Sequence, residues 1–376
     1  MNKITAHIAG DQISSNSKEA INLHASKRFG EKDKDKIVYT FCEALYLLEE
    51  DQLEILDLKD KKILKCLEEN SRQSHNQIAK KAGLSKESVR YRIKQLEEKG
   101  IIQNYKVVVD IKKLDYRAYH LFVNLNKPDL EIEKEYLKKL ISYPFVRAVI
   151  KFSGGYDFEI AMVAKNIDEL ERNLTQLFNG VDKYIKENEL LIVVRTFVGR
   201  VFPKSFLEFE IEKKKKKIKE IKVDDKDIKI LNVLKEDAVM PIYKIAEKTK
   251  LGVDSVTYRM KKLEDGEIIR NYIPAINYRA VGYQVYAILL RINSLYEDVE
   301  AKLKRYLIQD PNVLWAVKTI GNYNVMIYLA VDKPEDLHDT LNKIRRTFAN
   351  RIKGYKTLIA YEEYKYTYFP ELFLGE

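Results

Sequence analysis

The chain has 376 residues, 45% of them hydrophobic and 33% charged, with a formal net charge of +10. That apolar share can fill several cores and excludes a disordered polycation, and the excess of Lys and Arg by itself points only weakly to a polyanionic partner. Two cysteines, Cys42 and Cys66, in apolar helical settings exclude a disulfide framework or a Cys-rich metal site and fit small core residues in a reducing cytoplasm. No apolar run approaches the roughly 18–20 residues of a membrane span and no charged-then-apolar leader opens the chain, so a cytoplasmic protein with no membrane partner is expected.

Residues 1–55 read as a small α/β module. Lys3–Ile8 is strand-like, Gly10-Asp-Gln turns, Ser17 caps a helix through Phe29, Val38–Glu50 forms a second helix, and Leu53–Leu56 is extended. Phe29-Gly-Glu followed by Glu43-Ala-Leu-Tyr-Leu-Leu-Glu49 is similar to the non-catalytic N-terminal domain of archaeal tRNA-splicing endonucleases. The cleaving domain of those enzymes has no counterpart here. The plain alternative is a cap that packs on the segment that follows.

From 56 to 108 the pattern is helical. Asp57 and Asp60 open a helix with an apolar stripe of Ile63, Leu64 and Leu67. Ser74 with Gln77 forms a capping box before a short helix burying Ile78, Ala79 and Ala82. Gly83 turns the chain, Ser85 caps a third helix burying Val89, Ile93 and Leu96, and Gly100 ends it. Ile101–Val109 is extended and can fold back as a wing. Residues 109–207 then alternate strand and helix in the order β-α-β-β-α-β, a ferredoxin-like sheet with both helices on one face. Its strands are Tyr119–Leu125, Val146–Phe152, Phe158–Val163 and Leu190–Val194, and its helices Glu131–Ser142 and Ile167–Phe178.

After a charged joint at 208–222, which includes Lys213-Lys-Lys-Lys-Lys217, the same plan returns. Asp57–Leu207 aligns with Asp224–Leu374 at a constant offset of 167 positions without a gap. The repeat makes 223–275 a second winged helix-turn-helix and 276–376 a second βαββαβ domain. The expected fold class is therefore α+β: two tandem units, each a winged helix-turn-helix followed by a ferredoxin-like domain, behind a small N-terminal module.

The third helix of each unit carries the chemistry. With Val89, Ile93 and Leu96 inward, the outer face holds Lys86, Glu87, Arg90, Tyr91 and Lys94, flanked by Ser88 and Arg92, with Ser85 at the cap. In the second unit they are Ser255, Thr257, Tyr258, Arg259, Lys261 and Lys262. A short helix, a tight turn and a basic second helix suit a major groove, with N-terminal side chains at base edges and cations at phosphates. The bland alternative is a solvated face.

Gly83-Leu84-Ser85, Val89, Arg92-Ile93, Leu96-Glu97 and Gly100-Ile101-Ile102 resemble the DNA-binding half of the Lrp/AsnC (feast/famine) regulators, and the βαββαβ segment with Gly154-Gly-Tyr156-Asp157 resembles that family's effector and dimerisation domain. The resemblance implies sequence-specific binding to double-stranded DNA, βαββαβ domains paired sheet to sheet, and modulation by a small molecule such as an amino acid. It further implies an intramolecular pseudo-dimer, able to enter a higher homo-oligomer, with recognition helices about one DNA turn apart. Gly154, Tyr156 and Asp157, with Gly321, Tyr323 and Asn324 in the second unit, are the effector-site candidates. Pocket lining and turn anchoring are equally open for Tyr156 and Asp157. The second unit departs from the pattern: Lys250-Leu251-Gly252 replaces Gly-Leu-Ser, Glu267 replaces the closing glycine, and Asn324 replaces Asp157.

Two rival readings remain. Paired Lrp/AsnC-like units also occur in sirohaem decarboxylases, but of the five histidines only His120 and His338 lie in the βαββαβ domains, and they do not correspond under the repeat. The N-terminal module suggests an RNA-associated or assembly role. No nucleophilic triad, phosphate-cradling loop or metal-ligand spacing is present in the sequence, so a non-enzyme without cofactor or metal is expected.

Overall fold

The computed structural model describes residues 54–126, 130–207, 218–293 and 295–370. The strand and helices expected within 1–53, Cys42 and most of the charged joint lie outside the described residues. Glu54–Leu56, expected to end a strand, is irregular.

The first half opens with α1 (Leu58–Glu69), α2 (His75–Ala82) and α3 (Lys86–Glu98). Each starts where a side chain can satisfy orphan backbone N–H groups. Asp57 and Asp60 form a reciprocal capping box, Ser74 and Gln77 another, and the Ser85 hydroxyl accepts from Ser88 N–H at 3.1 Å. Gly83 (φ 70°) makes the turn between α2 and α3. Next come β1 (Ile102–Val109), β2 (Arg117–Leu125), α4 (Leu130–Ser142), β3 (Val146–Gly154), β4 (Phe158–Ala164), α5 (Ile167–Phe178) and β5 (Ile185–Gly199). The second half repeats the order with α6 (Asp225–Glu236), α7 (Ile242–Thr249), α8 (Val253–Asp265), β6 (Ile269–Ile276), β7 (Gln284–Ile292), α9 (Glu297–Gln309), β8 (Val313–Ile320), β9 (Val325–Val331), α10 (Pro334–Thr347) and β10 (Ile352–Tyr366). Here the missing caps show: neither α7 nor α8 has a side-chain cap, and Lys250 (φ 56°) and Glu267 (φ 51°) occupy left-handed positions held by glycine in the first half.

The wing is present and does more than expected. β1 lies on its own helices through Ile102, Tyr105 and Val108, and it also pairs antiparallel with β6, Ile102 facing Ile276 and Val109 facing Ile269. Because the register is reciprocal under the repeat, a pseudo-two-fold axis passes through this ribbon. The strands also exchange cores. Val107 and Val109 pack among the helices of the second half, while Ile273 and Ile276 pack among those of the first. A two-stranded ribbon is marginal alone, and burial in two helical cores holds this one.

The βαββαβ sheets also meet more intimately than face to face. Their strands form one closed antiparallel barrel in the order β10-β3-β4-β2-β5-β8-β9-β7. β5 and β10 run 15 residues each, β5 far beyond the Leu190–Val194 core expected, because each serves two sheets. The first part of β5 pairs with β2 and the second with β8; β10 likewise joins β7 to β3. Phe122, Phe152, Leu191, Leu289, Val317 and Met326 fill the interior from both halves. Helices α4 and α5 cover one sheet's outer face, α9 and α10 the other's.

After each long strand the chain returns to its own helices. Phe202 and Phe369 are 1% and 0% exposed within the two helical cores. Each contributes about 2–3 kcal/mol of burial. Glu68 fastens the first return, accepting from the N–H groups of Val201 (2.8 Å) and Phe202 (3.2 Å).

Candidate nucleic-acid interface

α3 and α8 bury the expected stripes, Val89, Ile93 and Leu96 in one and Val256, Met260 and Leu263 in the other. This phase turns Lys86, Arg90, Tyr91 and Lys94 to solvent on α3, and Thr257, Tyr258 and Lys261 on α8. Tyr91 is 64% exposed and Tyr258 71%. Ser85 is spent on the cap, Ser88 and Ser255 are half-buried, and the Thr257 hydroxyl donates back to Val253 O at 2.9 Å. Lys94 pairs loosely with Glu98 at 3.3 Å.

Three of the expected phosphate contacts are engaged within the chain. Arg92 reaches back to Asp57 (2.8 Å) and Asp60 (2.7 Å) at the start of α1. Arg259 does the same to Asp224 (2.7 Å) and Asp227 (2.8 Å), and Lys262 adds 2.6 Å to the fully buried Asp227. Positions 92 and 259 border the buried stripe, so their long side chains meet the first helix and not solvent. The Arg259 hydrogen bond holds the Asp224 carboxyl down at about 2. These residues are struts that fix each third helix against the first. The sign was present in the sequence: acid and base recur together under the repeat offset.

The effector candidates sit in two hairpin turns, Gly154–Asp157 and Gly321–Asn324, each seated on the other half's long strand. Gly154 (φ 127°) lies over Thr357 and Leu358, and a Cβ on Gly321 (φ 150°) would meet Leu191 at 2.5 Å and Leu190 O at 2.9 Å. Asp157 accepts from Leu125 N–H at 2.6 Å, and burial pushes its carboxyl up. Asn324 grips both polar groups of Ile292, accepting from its N–H at 2.9 Å and donating to its O at 2.6 Å. Both side chains therefore anchor turns. Tyr156 is 1% exposed, with the Lys356 ammonium 4.0 Å above its ring; Tyr323 is half-buried, and its carbonyl accepts from the Thr319 hydroxyl. The two turns differ in charge: Lys356 meets the first, whereas Glu189 holds Asn322 in the second.

Sequence reasoning set His120 aside, yet it is buried, its Nδ1 bonded to Glu159, whose other oxygen accepts from Tyr328 OH; Trp315 lies 5.5 Å away. Under the repeat these residues correspond to Ala287, Met326, Ala161 and Ala148, so the cluster breaks the internal symmetry of the barrel. Among the described residues no group of three or more His, Cys, Asp and Glu side chains is gathered for a metal, and no helix is long and apolar enough to cross a membrane.

Comparison with known proteins agrees with this geometry. Residues 56–103 and 223–270 each match the winged helix-turn-helix DNA-binding family. Residues 4–68 match the tRNA intron endonuclease N-terminal domain. The chain is 34% identical over 134 residues to the HTH-type transcriptional regulator LrpA of Pyrococcus horikoshii, covering 35% of this chain and 92% of LrpA. It is 33% identical over 140 residues to the transcriptional regulator AzlB of Bacillus subtilis, covering 35% and 88%. The crystal structure of the siroheme decarboxylase NirDL superposes with a TM-score of 0.56 at 16% identity, over 84% of this chain and 94% of NirDL, a likeness of fold alone. With a third of positions identical across nine-tenths of LrpA and the helix-turn-helix pattern present twice, the chain belongs to the Lrp/AsnC family of HTH-type transcriptional regulators.

Proposed function

We propose that this protein regulates transcription by sequence-specific binding of double-stranded DNA through α3 and α8, in the cytoplasm, with a small molecule modulating that binding. The carrying observation is the pair of exposed faces led by Tyr91 and Tyr258, flanked by Arg90 and Lys94 on one and Lys261 on the other, while the struts Arg92 and Arg259 hold each face in place. In this reading residues 56–108 and 223–275 are the reading heads, related by the pseudo-two-fold axis of the β1–β6 ribbon. Base edges meet the start of each helix, and Lys86, Arg90, Lys94 and Lys261 meet phosphate. Because the first turn of α3, Lys86-Glu87-Ser88, is matched in α8 by Val253-Asp254-Ser255, the two half-sites are free to differ in sequence. The uncapped α8 contributes less. A ligand at the turns 154–157 or 321–324 would act on how one half seats on the other, and further copies could join through the same faces.

Fluorescence anisotropy with genomic promoter fragments tests this. Specific fragments are expected to bind far more tightly than random duplex, and replacing Arg90 and Lys94 by alanine is expected to lower the salt slope by about 2. Equal binding to all duplexes, or an unchanged slope, would refute it. A second reading, an enzyme like siroheme decarboxylases, is favoured by the His120–Glu159–Tyr328 cluster inside a barrel of NirDL-like fold. An absorbance shift on adding a tetrapyrrole would support it. Competition between duplex DNA and tRNA separates the RNA reading suggested by residues 4–68.

A further inference from the structure

Beside the exposed face of α3 lies a cleft of about 480 Å³, floored by Ile78 and Ile93, walled by the ring of Tyr105, and rimmed by Arg90 and Lys94, with Val239 of the second half at its back. The repeat shows why it is open. At the equivalent place in the second half, Arg72 crosses from the first, donates to the carbonyls of Ala238 (2.8 Å) and Met240 (3.0 Å), and lays its guanidinium 5.4 Å from the ring centroid of Tyr272. Tyr272 is 3% exposed as a result. The residue placed to return that arm is Val239, which occupies Arg72's position in the repeat and has no guanidinium to send. Tyr105 is consequently only half-buried. The surroundings diverge in the same sense: Gln73, His75 and Arg90 line the open cleft where the plugged side has Met240, Ile242 and Thr257. One copy of this junction has more apolar surroundings and is filled by an arginine; the other has polar, cationic surroundings and is open.

We infer that the open cleft is a binding site for a small organic anion with a flat apolar body, of the arylcarboxylate or aryl phosphate class. The ring would lie along Tyr105 over Ile78 and Ile93, and the anion would meet Arg90 and Lys94. The one carboxylate lining the cleft, Glu97, accepts from Tyr105 OH at 2.7 Å, which steadies the aromatic wall, and Arg90 and Lys94 outnumber it at the rim. The volume is in the range of small-molecule sites. Arg90 and Lys94 also belong to the proposed DNA face, so an occupant would compete with phosphate for the same cations. That consequence rests on the DNA-binding reading; the binding itself does not.

The test uses the full chain without DNA first, by saturation-transfer NMR with benzoate and phenyl phosphate, and with inorganic phosphate titrated by calorimetry as the ring-free arm. Both aryl anions are expected to bind the wild type. Val239→Arg, which copies Arg72 and would place its guanidinium over Tyr105 within reach of the Ser71 and Gln73 carbonyls, is expected to abolish binding. The exposed Arg90→Ala is expected to weaken it about tenfold, and keeps the test open should Val239→Arg not fold. With duplex present, phenyl phosphate is expected to weaken DNA binding by the wild type and leave Val239→Arg unaffected. Absence of aryl-anion binding, equal binding to Val239→Arg and wild type, or inorganic phosphate binding as tightly as phenyl phosphate would overturn the inference. Aryl-anion binding in a chain that binds no duplex would uphold the site while removing the DNA reading.

Discussion

Truncating Arg259 to alanine removes three charge-assisted hydrogen bonds, to both oxygens of Asp224 (2.7 and 2.8 Å) and to Asp227 (2.8 Å). Asp227 is fully buried, and burial makes its share the larger one, since a charged partner lost from a buried carboxylate costs about 1.5–3 kcal/mol. Asp224 is half-exposed, so its share is no more than about 1 kcal/mol. Lys262 stays on Asp227 at 2.6 Å and prevents an isolated buried charge. The expected loss is therefore about 2–3 kcal/mol. Arg92→Ala, whose partners Asp57 and Asp60 are 50% and 18% exposed, should lose less, about 1–2 kcal/mol. Urea unfolding followed by circular dichroism reads both losses, and duplex binding at low temperature reads the second half of the argument. Struts leave the salt slope unchanged. A loss below about 0.5 kcal/mol for Arg259→Ala, or a salt slope reduced by about one charge, would show that this arginine serves phosphate and not the fold.

The same ion pair sets an acid response. Asp224 is held at about 2 against an ordinary value of 3.8, so its contribution is complete above pH 3.8 and is lost as pH falls through 2. After discounting for its half-exposure, about 1 kcal/mol should disappear between pH 5 and pH 2 in wild type and much less in Asp224→Asn, read as urea midpoints. Glu267→Gly, at φ 51°, should gain about 0.5–1 kcal/mol, while Gly100→Ala, at φ 67°, should lose about 1; thermal unfolding of the two variants checks the pair. Gly321→Ala drives a methyl into Leu191 and the Leu190 carbonyl and should cost more than about 2 kcal/mol, whereas Gly354→Ala, with open space around it, should stay within about 0.5.

What could be read from the sequence follows the range of the forces involved. The caps at Asp57, Ser74 and Ser85, the turn at Gly83 and the stripes of α3 and α8 are local, and periodicity with capping chemistry reveals them. The exchange of β1 and β6 is not local. Val107 reads as an inward strand residue whichever core receives it, and only the partner's shape decides between folding back and crossing over. The same holds for β5 and β10, whose ends look like loop margins until a second sheet edge is supplied. Among the site residues, the exposed Arg90, Tyr91 and Tyr258 followed from helical phase. Arg92, Arg259 and Lys262 did not, because a long cation at the border of a buried stripe can turn either way. The recurrence of Asp60 with Arg92 as Asp227 with Arg259 would have resolved them. The open cleft was hidden for a related reason: a valine at position 239 is unremarked until Arg72 shows what its twin accomplishes.

Closure of the barrel within one chain removes protein concentration from the equilibrium that joins its halves. An assembly of separate subunits dissociates once diluted below its own dissociation constant, and its unfolding midpoint drifts with concentration. Here β5 meets β8 and β10 meets β3 along a continuous backbone, so both helical heads stay mated at any copy number. A single molecule arrives already assembled, and each half is free to accumulate changes, such as Val239 or Asn324, that no self-symmetric pair could keep on one side only.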